Sequence, residues 1–157
     1  MKGERPVYRR PEDLKYMELA LEQAGLAFQL GEVPVGAVIV KDDRVIAAAH
    51  NLREQNRMAT AHAELLAIEE ACRKLNSWRL TDCTLYVTLE PCPMCAGAII
   101  NSRLSRVVYG AADQQAGCCG SVANFFHMPF NHAPVLTAGV LEQQCAALLK
   151  EFFEQRR

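Results

Sequence analysis

The spacing of apolar residues changes period several times along the chain, and each change marks an element. Leu14, Met17, Leu21 and Leu26, with Ala20 and Ala24, recur at helical spacing behind Pro11, Glu12 and Asp13, a proline and two acids suited to a helix start. They predict a helix over residues 11–28. Two β-rich runs, 36–41 and 44–49, flank Asp42-Asp43 and predict a hairpin closed by a two-residue turn. Helical spacing returns over 61–74 with Leu65, Leu66, Ile68, Ala71 and Cys72. A strand over 84–89, an apolar helix over 94–101, and strands over 106–110 and 135–138 follow. Residues 141–157, with Ala146, Leu148, Leu149, Phe152 and Phe153, read as a last helix.

Five short strands with helices between the later ones imply an α/β protein. The expected arrangement is a three-layer α/β/α sandwich around a five-stranded mixed sheet covered on both faces. No repeat or linker breaks the 157 residues, so one domain over 1–157 is expected. Half the residues are hydrophobic (50%) and 22% are charged, the composition of a chain that folds rather than one that stays disordered.

Charge narrows the picture. Seventeen Lys+Arg against 18 Asp+Glu give a net charge of -1, which argues against a chain held to nucleic acid or to an anionic membrane by bulk positive field. Local groups such as Arg9, Arg10, Arg53, Arg57, Arg156 and Arg157 remain to make a few phosphate contacts. The first residues lack the apolar run of a signal peptide. Residues 114–141 carry no charge, yet Asn124, His127, Pro129, Asn131, His132 and Pro134 interrupt them, so they read as loop, short helix and strand rather than as a membrane span. A cytoplasmic location is expected.

Candidate chemistry sits at two helix starts: His62-Ala63-Glu64 and Pro91-Cys92-Pro93-Met94-Cys95. Either alone is weak, since a His-x-Glu is usually surface capping and a Cys-x-x-Cys serves metal, redox or packing. Together they offer zinc a nitrogen and two sulfurs, with one position left for water. Cys92 and Cys95, three apart, share a helix face, and the helix N-terminus favours their thiolates. Glu64, about 200° round the helix from His62, is better placed to reach that water than the metal. A closed structural site would need a fourth ligand from His50, Cys83, Cys118 or Cys119. A thiol–disulfide oxidoreductase would use Cys92 and Cys95 but leave His62 and Glu64 idle.

With these motifs, and with Glu32-Val-Pro-Val-Gly-Ala37, Asn51, Thr60-Ala-His-Ala-Glu64, the run from Leu85 to Cys92, Met94-Cys-Ala-Gly-Ala98, Arg106-Val-Val-Tyr-Gly-Ala111 and Phe130-Asn-His132, the chain resembles the cytidine/deoxycytidylate deaminase superfamily from about Asp13 to Phe153. Within it, the bacterial tRNA-specific adenosine deaminases are most similar. The resemblance implies a cytidine deaminase-like fold with zinc on His62, Cys92 and Cys95 and Glu64 as proton shuttle. The reaction it implies is attack of activated water on C6 of the wobble adenosine of a tRNA anticodon stem-loop, with loss of ammonia. It places Asn51 against the flipped base or its ribose, and Asp113, Asn131 and His132 around the anticodon loop. Phe152, Phe153 and the arginines behind them, Arg156 and Arg157, would meet flanking nucleotides. Phe152 and Phe153 are about 100° apart on a helix, so one is expected in the core and one outside. A homodimer whose substrate groove draws on both subunits is also implied. The nearest alternative is a deaminase of a free base or nucleotide, guanine or deoxycytidylate, which shares the zinc site. One departure is Ala59, before Thr60, where the family usually has proline. Cys118 and Cys119 read as small packing residues.

Overall fold

The computed structural model describes residues 9–156. Helix α1 (Asp13–Gln29) leads into a hairpin of β1 (Gly36–Lys41) and β2 (Arg44–His50), followed by α2 (Ala63–Leu75), β3 (Thr84–Leu89), α3 (Pro93–Asn101) and β4 (Arg106–Ala111). A single 3-10 turn (Phe125–His127), β5 (Val135–Ala138) and α4 (Glu142–Glu154) complete it. These match the elements expected from the pattern, with ends moved by at most three residues. Arg157 lies outside the described residues.

The sheet has the order β2-β1-β3-β4-β5. β1 is antiparallel to both β2 and β3, while β3–β4 and β4–β5 are parallel. The hairpin turns on Asp42 and Asp43, both at positive φ (50° and 61°), the backbone of a tight two-residue turn that aspartate tolerates. Its tip is fastened to α1, because Tyr16 Oη donates to Asp43 Oδ1 at 2.7 Å.

Alternation within the inner strands divides the core in two. Ala37 and Ile39, Leu85 and Val87, and Val107 and Tyr109 face α2 and α3. Val38 and Val40, Tyr86, and Val108 face Tyr16, Met17 and Ala20 of α1 and Cys145 of α4. Strands covered on both faces carry apolar residues at nearly every position, and this sheet does. Helix α1 lies directly on β1: a Cβ at Gly36 would overlap the Ala20 carbonyl and stand 2.5 Å from the Ala24 nitrogen. Only glycine fits there.

One ion pair spans the α1/α4 side. Asp13, the first residue of α1, is 1% exposed and takes both oxygens to Arg106 of β4, each at 2.7 Å. Tyr86 of β3 donates to the same carboxylate at 2.8 Å, the Arg10 amide does so at 2.8 Å, and Arg106 donates to Thr137 of β5 at 3.0 Å. Burial alone would raise the Asp13 pKa, but the hydrogen bonds from Arg106, Arg10 and Tyr86 hold it below its usual value of 3.8. Removing one partner of a buried pair strands the other charge, so Asp13→Asn should cost about 3–5 kcal/mol in denaturant unfolding. A carboxyl whose folded pKa is depressed stabilises the protein above its unfolded pKa, and that stability goes as pH falls through the folded value. Wild type should therefore lose stability below about pH 4, and Asp13→Asn should show less of that loss.

Candidate active site

Both candidate ligand segments sit where a helix begins. His62 is the N-cap of α2 and Cys92 the N-cap of α3, each in extended backbone, and neither side chain caps its own helix. Pro93 occupies the first turn of α3, where no backbone N–H is needed. The two side chains are thus left to meet each other across the gap between the helices.

They do so with the spacing a metal requires. A tetrahedral zinc with bonds of about 2.3 Å to sulfur and about 2.05 Å to nitrogen sets those ligand atoms about 3.6 Å apart. His62 Nδ1 lies 3.6 Å from Cys92 Sγ and 3.6 Å from Cys95 Sγ. All three ligand atoms fall within 4.8 Å of one another, and among the described residues this is the one His/Cys/Asp/Glu group so arranged. The residues fit a zinc ion. His50, Cys83, Cys118 and Cys119 are not in the group; His50 Nδ1 instead meets Gln23 Oε1 at 2.8 Å, while Cys118 and Cys119 are packed into the α2/α3 core. A redox pair would leave the imidazole that joins both sulfurs unexplained.

The electrostatics follow from the same crowding. The hydrogen bond from Cys95, and then that with His62, lowers the Cys92 thiol to about 4. Cys92 in return raises the pKa of His62. Glu64, 4% exposed, is lifted by burial to about 7.

These groups form one side of a cavity of about 220 Å³, whose walls include Val33, Val35, Asn51, Arg53, His62, Glu64, Leu89, Glu90, Cys92, Asp113 and Ala116. Asn51 is buried, giving its Nδ2 to the Val33 carbonyl (3.2 Å) and accepting the Arg53 amide (3.1 Å). It is thus both a turn residue and a wall of the cavity. Asp113 accepts from the Gln115 and Ala116 amides at 3.0 and 3.1 Å.

The other expected substrate residues lie elsewhere in the chain. Asn131 is exposed, and His132 Nε2 donates to the Leu104 carbonyl at 2.7 Å. Leu104 precedes β4 whereas Asp113 follows it, and six strand residues advance about 20 Å. In one chain these two residues do not reach the cavity. Phe152 is buried against Phe28, with ring centroids 5.9 Å apart, and carries Arg156 over its face at 4.1 Å; Phe153 is exposed.

Sequence reasoning missed Val33, Val35 and Ala116 in the wall and two buried carboxylates, Glu32 and Glu90. Glu32 accepts the Glu54 and Gln55 amides at 3.0 and 2.8 Å, holding the loop that carries Asn51 and Arg53. The available signal was an acid beside proline in an apolar setting, Glu32-Val-Pro and Glu90-Pro-Cys.

Fold and site together define a deaminase of the cytidine deaminase-like α/β class, and the family model described as MafB19-like deaminase matches residues 11–157. Among curated proteins, a tRNA-specific adenosine deaminase of Bacillus subtilis (strain 168) is 50% identical over 93% of this chain and 91% of its own length. One of Haemophilus influenzae is 47% identical over 92% and 85%. This chain belongs to the tRNA-specific adenosine deaminase family. A solved structure from a study of A-to-I editing by tRNA:A34 deaminases at the wobble position superposes with a TM-score of 0.84 at 45% identity, covering 85% of this chain and 98% of that one. A guanine deaminase from Nitrosomonas europaea superposes at 0.79 with 28% identity, covering 96% and 88%.

The thiols should separate in labelling. In chelator-treated protein, Cys92 should react with iodoacetamide at pH 6, where it is already thiolate. Cys83, Cys118, Cys119 and Cys145, pushed up by burial, should stay unmodified in peptide mass spectra.

Proposed function

We propose that this chain hydrolytically deaminates adenosine to inosine at the wobble position of a tRNA anticodon, with one zinc ion held by His62, Cys92 and Cys95. The reading is carried by His62 and Cys92 of the three-ligand triangle meeting the buried Glu64 carboxylate in one small cavity, in a chain of this family. A cavity of about 220 Å³ is smaller than the roughly 300–1,000 Å³ of sites that enclose whole small ligands, so it suits one extruded base.

Zinc there supplies Lewis acidity that brings the pKa of water near 7. The rest falls to the chain. Glu64 takes a proton from the attacking water and passes it to the base. The water oxygen bonds to C6, its remaining proton passes to the amino nitrogen, the bond from C6 to that nitrogen breaks, and ammonia leaves with C6 as the carbonyl of inosine. Val33, Val35 and Leu89 exclude water from the faces of the base, and Asn51 holds its edge or ribose. Asp113, with one carboxylate oxygen occupied by its own turn, offers the other to the nucleotide. Arg53, exposed at the rim of the cavity, meets a phosphate, and the exposed Phe153 and Arg156 meet flanking nucleotides.

A homodimer belongs to the same reading. An apolar groove between α2 and α3, lined by Leu65, Ile68, Cys72, Trp78 and Ala98, faces outward with Trp78 55% exposed, and a second copy would cover it. Asn131 and His132 would then serve the neighbouring site. Among the described residues no helix is long and apolar enough to cross a membrane, and a tRNA substrate is met in the cytoplasm.

Incubation with a tRNA bearing wobble adenosine, followed by sequencing, should show inosine at that position. Ammonia release from free guanine or deoxycytidylate, with the stem-loop left untouched, would contradict the assignment. Glu64→Ala should keep one zinc per chain while deamination falls by about 10²- to 10⁴-fold; loss of zinc as well would make Glu64 a structural group. Cys118→Ser with Cys119→Ser should leave zinc content unchanged by metal analysis, and a fall would show that the ligand set is different.

A further inference from the structure

Glu90 lies two residues before Cys92 and is 2% exposed, yet it stands outside the ligand triangle and outside the ion pairs formed among the described residues. A carboxylate buried without a counter-ion has to be satisfied by hydrogen bonds. All of them come from one loop. Oε1 accepts from the Asp113 amide (3.1 Å) and from the Ser121 hydroxyl, and Oε2 from the amides of Cys119 (3.0 Å) and Ser121 (3.1 Å).

The backbone seals the same contact. The Glu90 amide donates to the Ala111 carbonyl at 2.8 Å, and the Cys118 amide donates to the Pro91 carbonyl at 2.8 Å. Gly117 lies where the loop crosses the carboxylate: a Cβ there would overlap the Glu90 side chain and come 2.5 Å from the Asp113 carbonyl. The loop wound round Glu90 also delivers Asp113 and Ala116 to the cavity wall.

We infer that Glu90 is a positioning residue for the substrate: its four hydrogen bonds fix the 113–121 loop against the start of α3, setting Asp113 and Ala116 at the distance from the ligand triangle that an extruded base requires. This rests on the proposed function for the identity of the substrate, though not for the role of Glu90 in holding the loop.

Glu90→Gln keeps the shape of the side chain and reverses part of its hydrogen bonding. Whichever way the amide turns, its NH2 faces a backbone N–H, that of Asp113 on one side or those of Cys119 and Ser121 on the other. The variant should keep one zinc per chain and a kcat within about threefold of wild type, while KM for an anticodon stem-loop rises about tenfold or more. Hydrogen exchange should quicken about tenfold or more across 113–121 and stay unchanged in α2 and α3. Gly117→Ala, with Glu90 intact, should reproduce both effects by pushing the loop off the carboxylate. The double variant should be no worse than the worse single one, since both act on one contact.

Unchanged exchange across 113–121 in Glu90→Gln, additive effects in the double variant, or loss of zinc and kcat with KM preserved would each overturn the inference. A wild-type protein that fails to deaminate the stem-loop would overturn the proposed function instead, and the exchange measurement would still decide the role of Glu90.

Discussion

The structure depends on the impossibility of joining two parallel strands by a hairpin. Because β1 is antiparallel to both of its neighbours, β2 and β3 run the same way, and β4 follows β3 in parallel. Each step from β2 to β3 and from β3 to β4 therefore needs a crossover, supplied by α2 and α3, and both helices pack on the same face of the sheet. Two right-handed crossovers on one face start at the same edge of the sheet, the carboxyl ends of their strands. His62 and Cys92 are the caps of those two starts, which is why residues thirty apart in sequence close to 3.6 Å. Both positive helix ends also point toward the ligands, where negative sulfur is favoured.

Around this rigid centre, irregular chain is held by buried carboxylates. Glu32 takes two amides of the loop that carries Asn51 and Arg53, and Glu90 takes three amides and a hydroxyl of the loop that carries Asp113. Burying a carboxylate costs several kcal/mol, and hydrogen bonds to a charged group return about 1.5–3 kcal/mol each, so two to four of them offset the cost. Apolar packing could not replace them, since loop amides turned inward need acceptors that neighbouring loops cannot offer. On the opposite face Asp13 does the same with a guanidinium, joining α1 to three strands.

Regular elements were legible because they repeat. The 3.6-residue period identified every long helix and short β-rich apolar runs identified every strand, and the motifs at His62 and at Cys92 and Cys95 pointed to the three side chains that the fold brings together. The separation of His132 from Asp113, set by the length of β4 at about 20 Å, was not legible, because the sequence places them within twenty residues of each other and only the direction of β4 separates their ends. Nor was the work of Glu90, whose partners are backbone amides that carry no residue signature. Phe152 and Phe153 were separable in principle by their 100° offset, but which of them faced Phe28 depended on where α4 meets α1.

That division between periodic and aperiodic residues is also a division of labour. His62, Glu64, Cys92 and Cys95 stand at helix starts, where the backbone and two strands fix them. Val33, Asn51, Arg53, Asp113 and Ala116 stand on loops whose course is set by a few buried acids. Under the proposed function, the chemistry of removing an amino group from a heterocycle falls to the first set and the choice of heterocycle to the second. A guanine deaminase shares this fold, and on the proposed reading substrate choice lies in the 51–57 and 113–121 loops rather than in the ligand triangle. Near-neutral charge fits the same proposed reading: with a net charge of -1 over the whole chain, an RNA loop would be recognised by shape at this cavity and by single cations such as Arg53 at its rim rather than by bulk positive field.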